Sequence, residues 1–99
     1  MDKDELLKKT VAIARKYLPK DFRLILFGSW AKDSAEETSD LDIGILGKKT
    51  VSYEIIKSIK REVETLPTLR KVDIIDLNDV DKKFKDNVLK YGRKLWPMN

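Results

Sequence analysis

Residues 28–42 have the sequence GSWAKDSAEETSDLD, and the spacing of the polar residues in this stretch is the most informative feature of the chain. It begins with a Gly28-Ser29 pair that follows an apolar run, and it ends, after ten intervening residues, with Asp40 and Asp42. The residues just before the glycine and those around the aspartates are rich in the branched and aromatic side chains that favour strands. The pattern predicts two strands with polar groups at the border of each.

The two aspartates are predicted to project from the same side of the second strand, because alternate residues of a strand share a face. Leu41, Ile43 and Ile45 then point to the opposite side, into a core. Two neighbouring carboxylates repel each other, and proteins usually tolerate such a pair when a cation is shared between them. The sequence therefore predicts a divalent metal site beside a small-residue turn that can hold phosphate.

The composition indicates one small soluble domain that spans residues 1–99. The chain has 99 residues, which suit a single domain with a modest core. Charged residues make up 38% of it and Cys is absent, which excludes disulfides and thiolate metal sites. Heavy use of Lys and Glu indicates a thermophilic source. No apolar run approaches the about 20 residues of a membrane span, and we expect a cytoplasmic protein.

Helical and strand patterns alternate along the chain with short connections. Asp2 and Glu5 form a capping box that opens the first helix, which ends before Pro19. Asp79 is expected to cap the last helix and Gly92 to end it. Strands are expected at 22–27, 41–46 and 72–77, and one or two helical turns at 30–35. A second long helix is expected to be capped by Thr50 or Ser52, to carry apolar residues from Ile55 to Leu66, and to stop at Pro67.

This order of elements predicts an α/β (α+β) fold. We expect a small mixed sheet of about three strands, with helices packed mainly on one face. The apolar ending Leu95-Trp96 is expected to pack back, and Tyr91 and Trp96 to close the core.

A third acidic side chain is a candidate to join the pair. Asp73 lies near the start of the strand at 72–77, where it could lie beside Asp40 and Asp42. Asp76 is a rival, and the two should face opposite sides of a regular strand because they are three residues apart. A cluster of three carboxylates suits two Mg²⁺ ions and an in-line phosphoryl displacement.

The sequence resembles a known family. The features that carry the resemblance are the Gly28-Ser29 pair, the Asp40-x-Asp42 pair ten residues later, and the VDIIDL strand with Asp73. Together they resemble the nucleotidyltransferase fold of the DNA polymerase β superfamily. The chain length and the ending KYGRKLW at 90–96 resemble its stand-alone minimal nucleotidyltransferases (MNT), which include antitoxins encoded beside HEPN-domain toxins. The resemblance covers roughly residues 10–96.

The resemblance implies a role for each matching residue. Gly28, Ser29 and nearby backbone N–H groups would hold the triphosphate of ATP, and Lys32 would supply positive charge in place of the basic residue that often follows Gly-Ser in the family. Asp40, Asp42 and Asp73 would hold the two metal ions and would also be the catalytic residues. Of these, Asp73 would help to take the proton from the attacking hydroxyl.

The resemblance also implies a function. It is the Mg²⁺-dependent transfer of AMP from ATP to a hydroxyl of a partner protein, a HEPN RNase toxin that the domain neutralises as an antitoxin. A hetero-oligomer with the toxin is expected, and direct contact with nucleic acid is not. Two alternatives are an antitoxin that blocks the toxin by binding alone, and a catalytic subunit that modifies a small molecule or a nucleic-acid end with a separate substrate subunit.

Overall fold

The computed structural model describes residues 1–28 and 40–97, and these residues form three helices and four strands. The elements in chain order are α1 (Lys3–Tyr17), β1 (Arg23–Phe27), β2 (Leu41–Leu46), α2 (Tyr53–Val63), β3 (Val72–Asp76), α3 (Lys82–Tyr91) and β4 (Arg93–Trp96). No helix in this part of the chain is long and apolar enough to cross a membrane.

The strands form one mixed sheet in the order β3-β2-β1-β4. The central pair β1 and β2 is antiparallel, as is the pair β1 and β4, whereas β2 and β3 run parallel. The parallel pair is connected by α2, as a crossover between parallel strands requires. The sheet is mixed, as the sequence predicts.

The main core lies between one face of the sheet and the helices α1 and α2. Leu41, Ile43 and Ile45 on β2 are at most 1% exposed, and they face this core together with Leu6 of α1 and Ile59 of α2. The alternation that the sequence predicts for β2 is thus confirmed. It leaves the opposite face of the strand for polar groups.

The third helix covers part of that opposite face. A smaller cluster joins Val88 of α3 to Ile25, Leu46 and Leu77. Gly44 in β2 lets the side chain of Leu77 approach the sheet, because a Cβ atom at Gly44 would lie only 2.8 Å from a Leu77 methyl group. Two of the three described helices, α1 and α2, therefore lie on one face of the sheet, and α3 lies on the other.

Most of the predicted helix ends are confirmed. The Asp2 side chain accepts a hydrogen bond from the backbone N–H of Glu5, and Gly92 ends α3. Ser52, and not Thr50, caps α2. The prediction of Asp79 as the cap of α3 is wrong. Asp81 takes that place, because the N–H of Asp79 belongs to a turn closed on the Asp76 carbonyl.

The end of the chain differs from the prediction in two ways. Residues 93–96 form a fourth strand at the edge of the sheet. The sequence did not predict this strand, because the segment is short and two of its side chains are charged. Trp96 packs against the main core as expected, but Tyr91 does not close it and is 56% exposed. Tyr91 is the last residue of α3, and the buried residue of that helix is Val88. The helical turns predicted at 30–35 lie outside the described residues.

Candidate active site

Two of the predicted site residues are paired across neighbouring strands. In the parallel pair of β2 and β3, Asp42 lies opposite Asp73, and the next pair along the strands is Ile43 and Ile74. The isoleucines are buried in the main core, so the half-buried aspartates lie on the other face of the sheet, which α3 covers in part. The alternation of side chains thus brings the two carboxyl groups together on the same side of the sheet.

The surroundings of Asp42 disfavour its charged form. Burial of the carboxyl group raises the pKa of Asp42, and the negative charges of Asp73 and Asp40 raise it further. A hydrogen bond with the Asp73 side chain acts in the same direction, because it requires a proton between the two carboxyl groups. A cation bound at this place would offset these effects, because it favours the charged form of the carboxyl group.

Lys71 supplies positive charge at the edge of this pair. Its ammonium nitrogen lies 3.7 Å from an oxygen of Asp73, and its charge lowers the pKa of Asp42 against the stronger effects of burial and of the acidic neighbours. The backbone carbonyl of Lys71 accepts a hydrogen bond from the N–H of Leu41 at 2.8 Å, which ties the starts of β3 and β2 together. Sequence reasoning missed this residue, although its position two residues before Asp73 was a signal that the side chains share a face.

At Gly28 the backbone lies close to the carboxylate of Asp42. The φ of Gly28 is +76°, a left-handed conformation that residues with a side chain rarely adopt. A Cβ atom at Gly28 would collide with a carboxylate oxygen of Asp42 and would lie 3.4 Å from the carboxyl carbon. Glycine is therefore required at position 28 for two reasons. The backbone there is left-handed, and the carboxyl group of Asp42 leaves no space for a Cβ atom.

Asp76, the rival for the third ligand position, has a different role. Its carboxylate accepts hydrogen bonds from the backbone N–H groups of Val51 at 2.7 Å and Asn78 at 2.9 Å. These bonds join the end of β3 to the segment before α2. The Asp76 side chain is engaged in holding loops together, and Asp73 is the carboxylate beside Asp42.

The described residues bring together part of the predicted site. Asp42 and Asp73 form a pair, Asp40 is exposed at the start of β2 and acts on Asp42 through its charge, and Gly28 lies against Asp42. Within 1–28 and 40–97, no group of three acidic side chains is already arranged to hold a metal ion. Ser29 and Lys32 lie outside the described residues.

The donor set at this place nevertheless suits a hard divalent cation. The available ligands are carboxylate oxygens, which Mg²⁺ prefers, and the charge of Asp73 disfavours the charged form of Asp42 when no cation is bound. A small cation between Asp42 and Asp73 would relieve that repulsion. The residues present therefore fit Mg²⁺.

The chain matches a known protein family. Residues 8–99 match the polymerase beta nucleotidyltransferase family. The chain belongs to this family. The matched region includes Gly28 and the three aspartates that are candidates for the active site.

Relatives of this nucleotidyltransferase chain carry more specific names. It is 25% identical over 92 residues to "Protein adenylyltransferase MntA" of Shewanella oneidensis; that match covers 89% of this chain and 63% of the relative. It is 30% identical over 89 residues to "Putative protein adenylyltransferase MJ0435" of Methanocaldococcus jannaschii, a match that covers 90% of this chain and 92% of the relative. The chain thus spans less than two thirds of the length of the Shewanella protein.

Solved structures show the same fold. A crystal structure of a toxin–antitoxin with AMP-PNP superposes with a TM-score of 0.76 at 24% identity, and the match covers 94% of this chain and 74% of that one. A complex of the tri-AMPylated Shewanella oneidensis HEPN toxin with its MNT antitoxin gives a TM-score of 0.72 at 22% identity, with 98% and 74% covered. At these identities the likeness establishes the nucleotidyltransferase fold.

Proposed function

We propose that this chain is a Mg²⁺-dependent protein adenylyltransferase that moves AMP from ATP to a hydroxyl group of a partner protein. The observation that carries the proposal is the pairing of Asp42 with Asp73 against the backbone of Gly28. Carboxylates beside a glycine turn are what phosphoryl transfer with metal ions requires. The names of the Shewanella and Methanocaldococcus relatives support protein as the acceptor.

Each site residue has a part in this proposal. Asp40, Asp42 and Asp73 would hold the Mg²⁺ ions, and Gly28, Ser29 and Lys32 would hold the triphosphate. When bound, Mg²⁺ neutralises the negative charge on the attacking and leaving oxygens. Lys71 keeps positive charge beside the carboxylates and limits their mutual repulsion.

The chemical step is a displacement at the α-phosphorus of ATP. The acceptor oxygen forms a bond to that phosphorus, the bond to the oxygen bridging the α and β phosphates breaks, and pyrophosphate leaves. The acceptor hydroxyl loses its proton in the process. Asp73 is the proposed proton acceptor, because the chain contains no His and this carboxyl group lies at the open edge of the sheet, next to Lys71.

We further propose that the partner is a HEPN RNase toxin and that this domain is its antitoxin. The support is the likeness in fold to MNT antitoxins solved with such toxins. Transfer of AMP to the toxin would add a charged group to it and block its RNase activity. Both ATP and an RNase toxin are found in the cytoplasm, and a cytoplasmic location of this domain is therefore part of the proposal.

The test is transfer of label from ATP labelled at the α-phosphate to the purified product of a neighbouring gene that encodes a HEPN-domain protein. We expect label on the toxin in the presence of Mg²⁺, with loss of RNase activity in parallel. Asp42→Asn and Asp73→Asn should abolish the transfer. Asp86→Asn, a substitution of an exposed carboxylate on α3, is the matched control and should retain it.

Two outcomes would contradict the proposal. If the toxin is neutralised equally well by wild type and by Asp42→Asn, with no label transferred, the domain acts by binding alone. If label appears on a small molecule or a nucleic-acid end and not on protein, the acceptor class is wrong although the nucleotidyltransferase chemistry is right.

A further inference from the structure

A small aromatic cavity opens beside Gly28 on the face of the sheet that carries Asp42. Its volume is about 270 Å³, and it lies between the end of β1 and the C-terminal half of α3. It is lined by residues 27, 28, 84, 87, 88, 91 and 92, of which three are aromatic, namely Phe27, Phe84 and Tyr91. Phe27 packs against the smaller hydrophobic cluster, whereas Phe84 and Tyr91 are exposed at the cavity.

The aromatic side chains are arranged around the cavity with much of their surface uncovered. The rings of Phe27 and Phe84 meet edge to face at an angle of 89°, with their centroids 5.8 Å apart. Phe84 is 40% exposed and Tyr91 is 56% exposed. The ammonium group of Lys90 lies 5.3 Å from the centroid of Tyr91, which adds a positive charge at the rim.

One polar side chain in the lining, that of Asn87, can form hydrogen bonds with the edge of a base. Asn87 offers both a donor and an acceptor, and a side-chain amide pairs with two adjacent groups on the edge of adenine. The volume is slightly below the about 300 to 1,000 Å³ of pockets that hold drug-sized ligands. It suits a single flat ring system and not a complete nucleotide.

The position of the cavity joins it to the candidate active site. Gly28 lines the cavity, and the same residue packs against the carboxylate of Asp42. A ligand that placed its phosphates near Asp42 and Asp73 would have its other end next to this cavity. The flat part of that ligand would meet exposed aromatic rings, on which bases stack readily.

We propose that this cavity is the binding site for the adenine base of the ATP substrate, with Phe84 and Tyr91 stacking on the base and Asn87 contacting its edge. The inference rests on the proposed function, because it assumes that ATP is bound at the carboxylate pair. It gives α3 a role in substrate recognition that neither the sequence pattern nor the carboxylates indicate. A partner protein docking on the same aromatic surface is the competing occupant.

The test compares ATP with inorganic tripolyphosphate, which has the phosphates but no base. Binding of both is measured by calorimetry in the presence of Mg²⁺ for wild type, Phe84→Leu and Tyr91→Ala. We expect each substitution to weaken ATP binding about tenfold and to leave tripolyphosphate binding unchanged. Phe84→Leu retains an apolar side chain against Phe27, and unchanged tripolyphosphate binding shows that the variants are folded.

The matched control is Tyr53→Ala on α2. Tyr53 is a 73% exposed aromatic residue with a lysine near its ring, as Tyr91 has, but it does not line the cavity. It should leave both affinities unchanged. In addition, Asn87→Ala should reduce the preference for ATP over UTP.

The possible failures are distinguishable. If wild type binds neither ATP nor tripolyphosphate, the proposed function fails and the base site with it. If wild type binds ATP but both aromatic substitutions leave its affinity unchanged, only the base site is overturned. Loss of AMP transfer to the toxin at unchanged ATP affinity would assign the aromatic surface to partner docking and would likewise overturn it.

Discussion

Asp42 and Asp73 lie opposite each other on the neighbouring parallel strands β2 and β3, and burial together with the negative charge of Asp73 raises the pKa of Asp42. The arrangement is unfavourable in the absence of a cation, because burial and two acidic neighbours act on the same group. Active sites often retain such unfavourable groups at the expense of stability. The first two predictions follow from this conflict.

Asp42→Asn is expected to stabilise the metal-free protein at neutral pH. The pKa of Asp42 is raised in the folded state, so stability of the wild type falls as the pH rises through that pKa, whereas asparagine does not titrate. The gain in the free energy of unfolding should be about 0.5 kcal/mol. It should disappear below the unfolded pKa, near pH 4. Thermal unfolding in EDTA at pH 7 and pH 3.5 measures this difference, and Asp86→Asn serves as the control without a gain.

Mg²⁺ should stabilise the wild type by binding to the folded state. At a concentration ten times the Kd, the expected gain is about 1.4 kcal/mol, which corresponds to a rise in Tm of about 6 to 11 °C for a domain of this size. Asp42→Asn and Asp73→Asn should lose most of this rise, and Asp86→Asn should keep it. A rise of equal size in all four proteins would show that Mg²⁺ binds away from the carboxylate pair.

Gly28→Ala should destabilise the fold for two separable reasons. The left-handed backbone costs about 1 to 2 kcal/mol for a residue with a Cβ atom, and that atom would also collide with the Asp42 carboxylate. Replacing Asp42 with Ala removes only the collision. Gly28→Ala should therefore cost less in the Asp42→Ala background than in wild type, as measured by urea unfolding of the four proteins. Equal costs in both backgrounds would mean that the two residues are not coupled.

The sequence was sufficient to predict β1, β2 and β3 because each has a clear apolar pattern, and the pattern of β2 also identified the face of Asp42. The opposition of Asp42 and Asp73 depends on register, since a slip of one residue would move Asp73 to the core face. The burial of Ile43 and Ile74 specifies that register, and it involves residues 31 positions apart in the chain. The strand β4 and the contact of Lys71 with Asp73 depend likewise on pairing between distant segments.

Asp73 and Asp76 lie in the same strand, and their substitutions should have opposite effects. Asp76→Ala leaves the backbone N–H groups of Val51 and Asn78 without their acceptor and should cost about 1 to 3 kcal/mol. Asp73→Ala removes an acidic neighbour of Asp42 and should keep or raise the Tm while it abolishes AMP transfer. Calorimetric unfolding and the labelling reaction on both variants measure the contrast. If Asp76→Ala keeps the stability of the wild type but loses Mg²⁺ binding, Asp76 and not Asp73 is the metal ligand. Loss of the loop contacts alone would instead lower the stability.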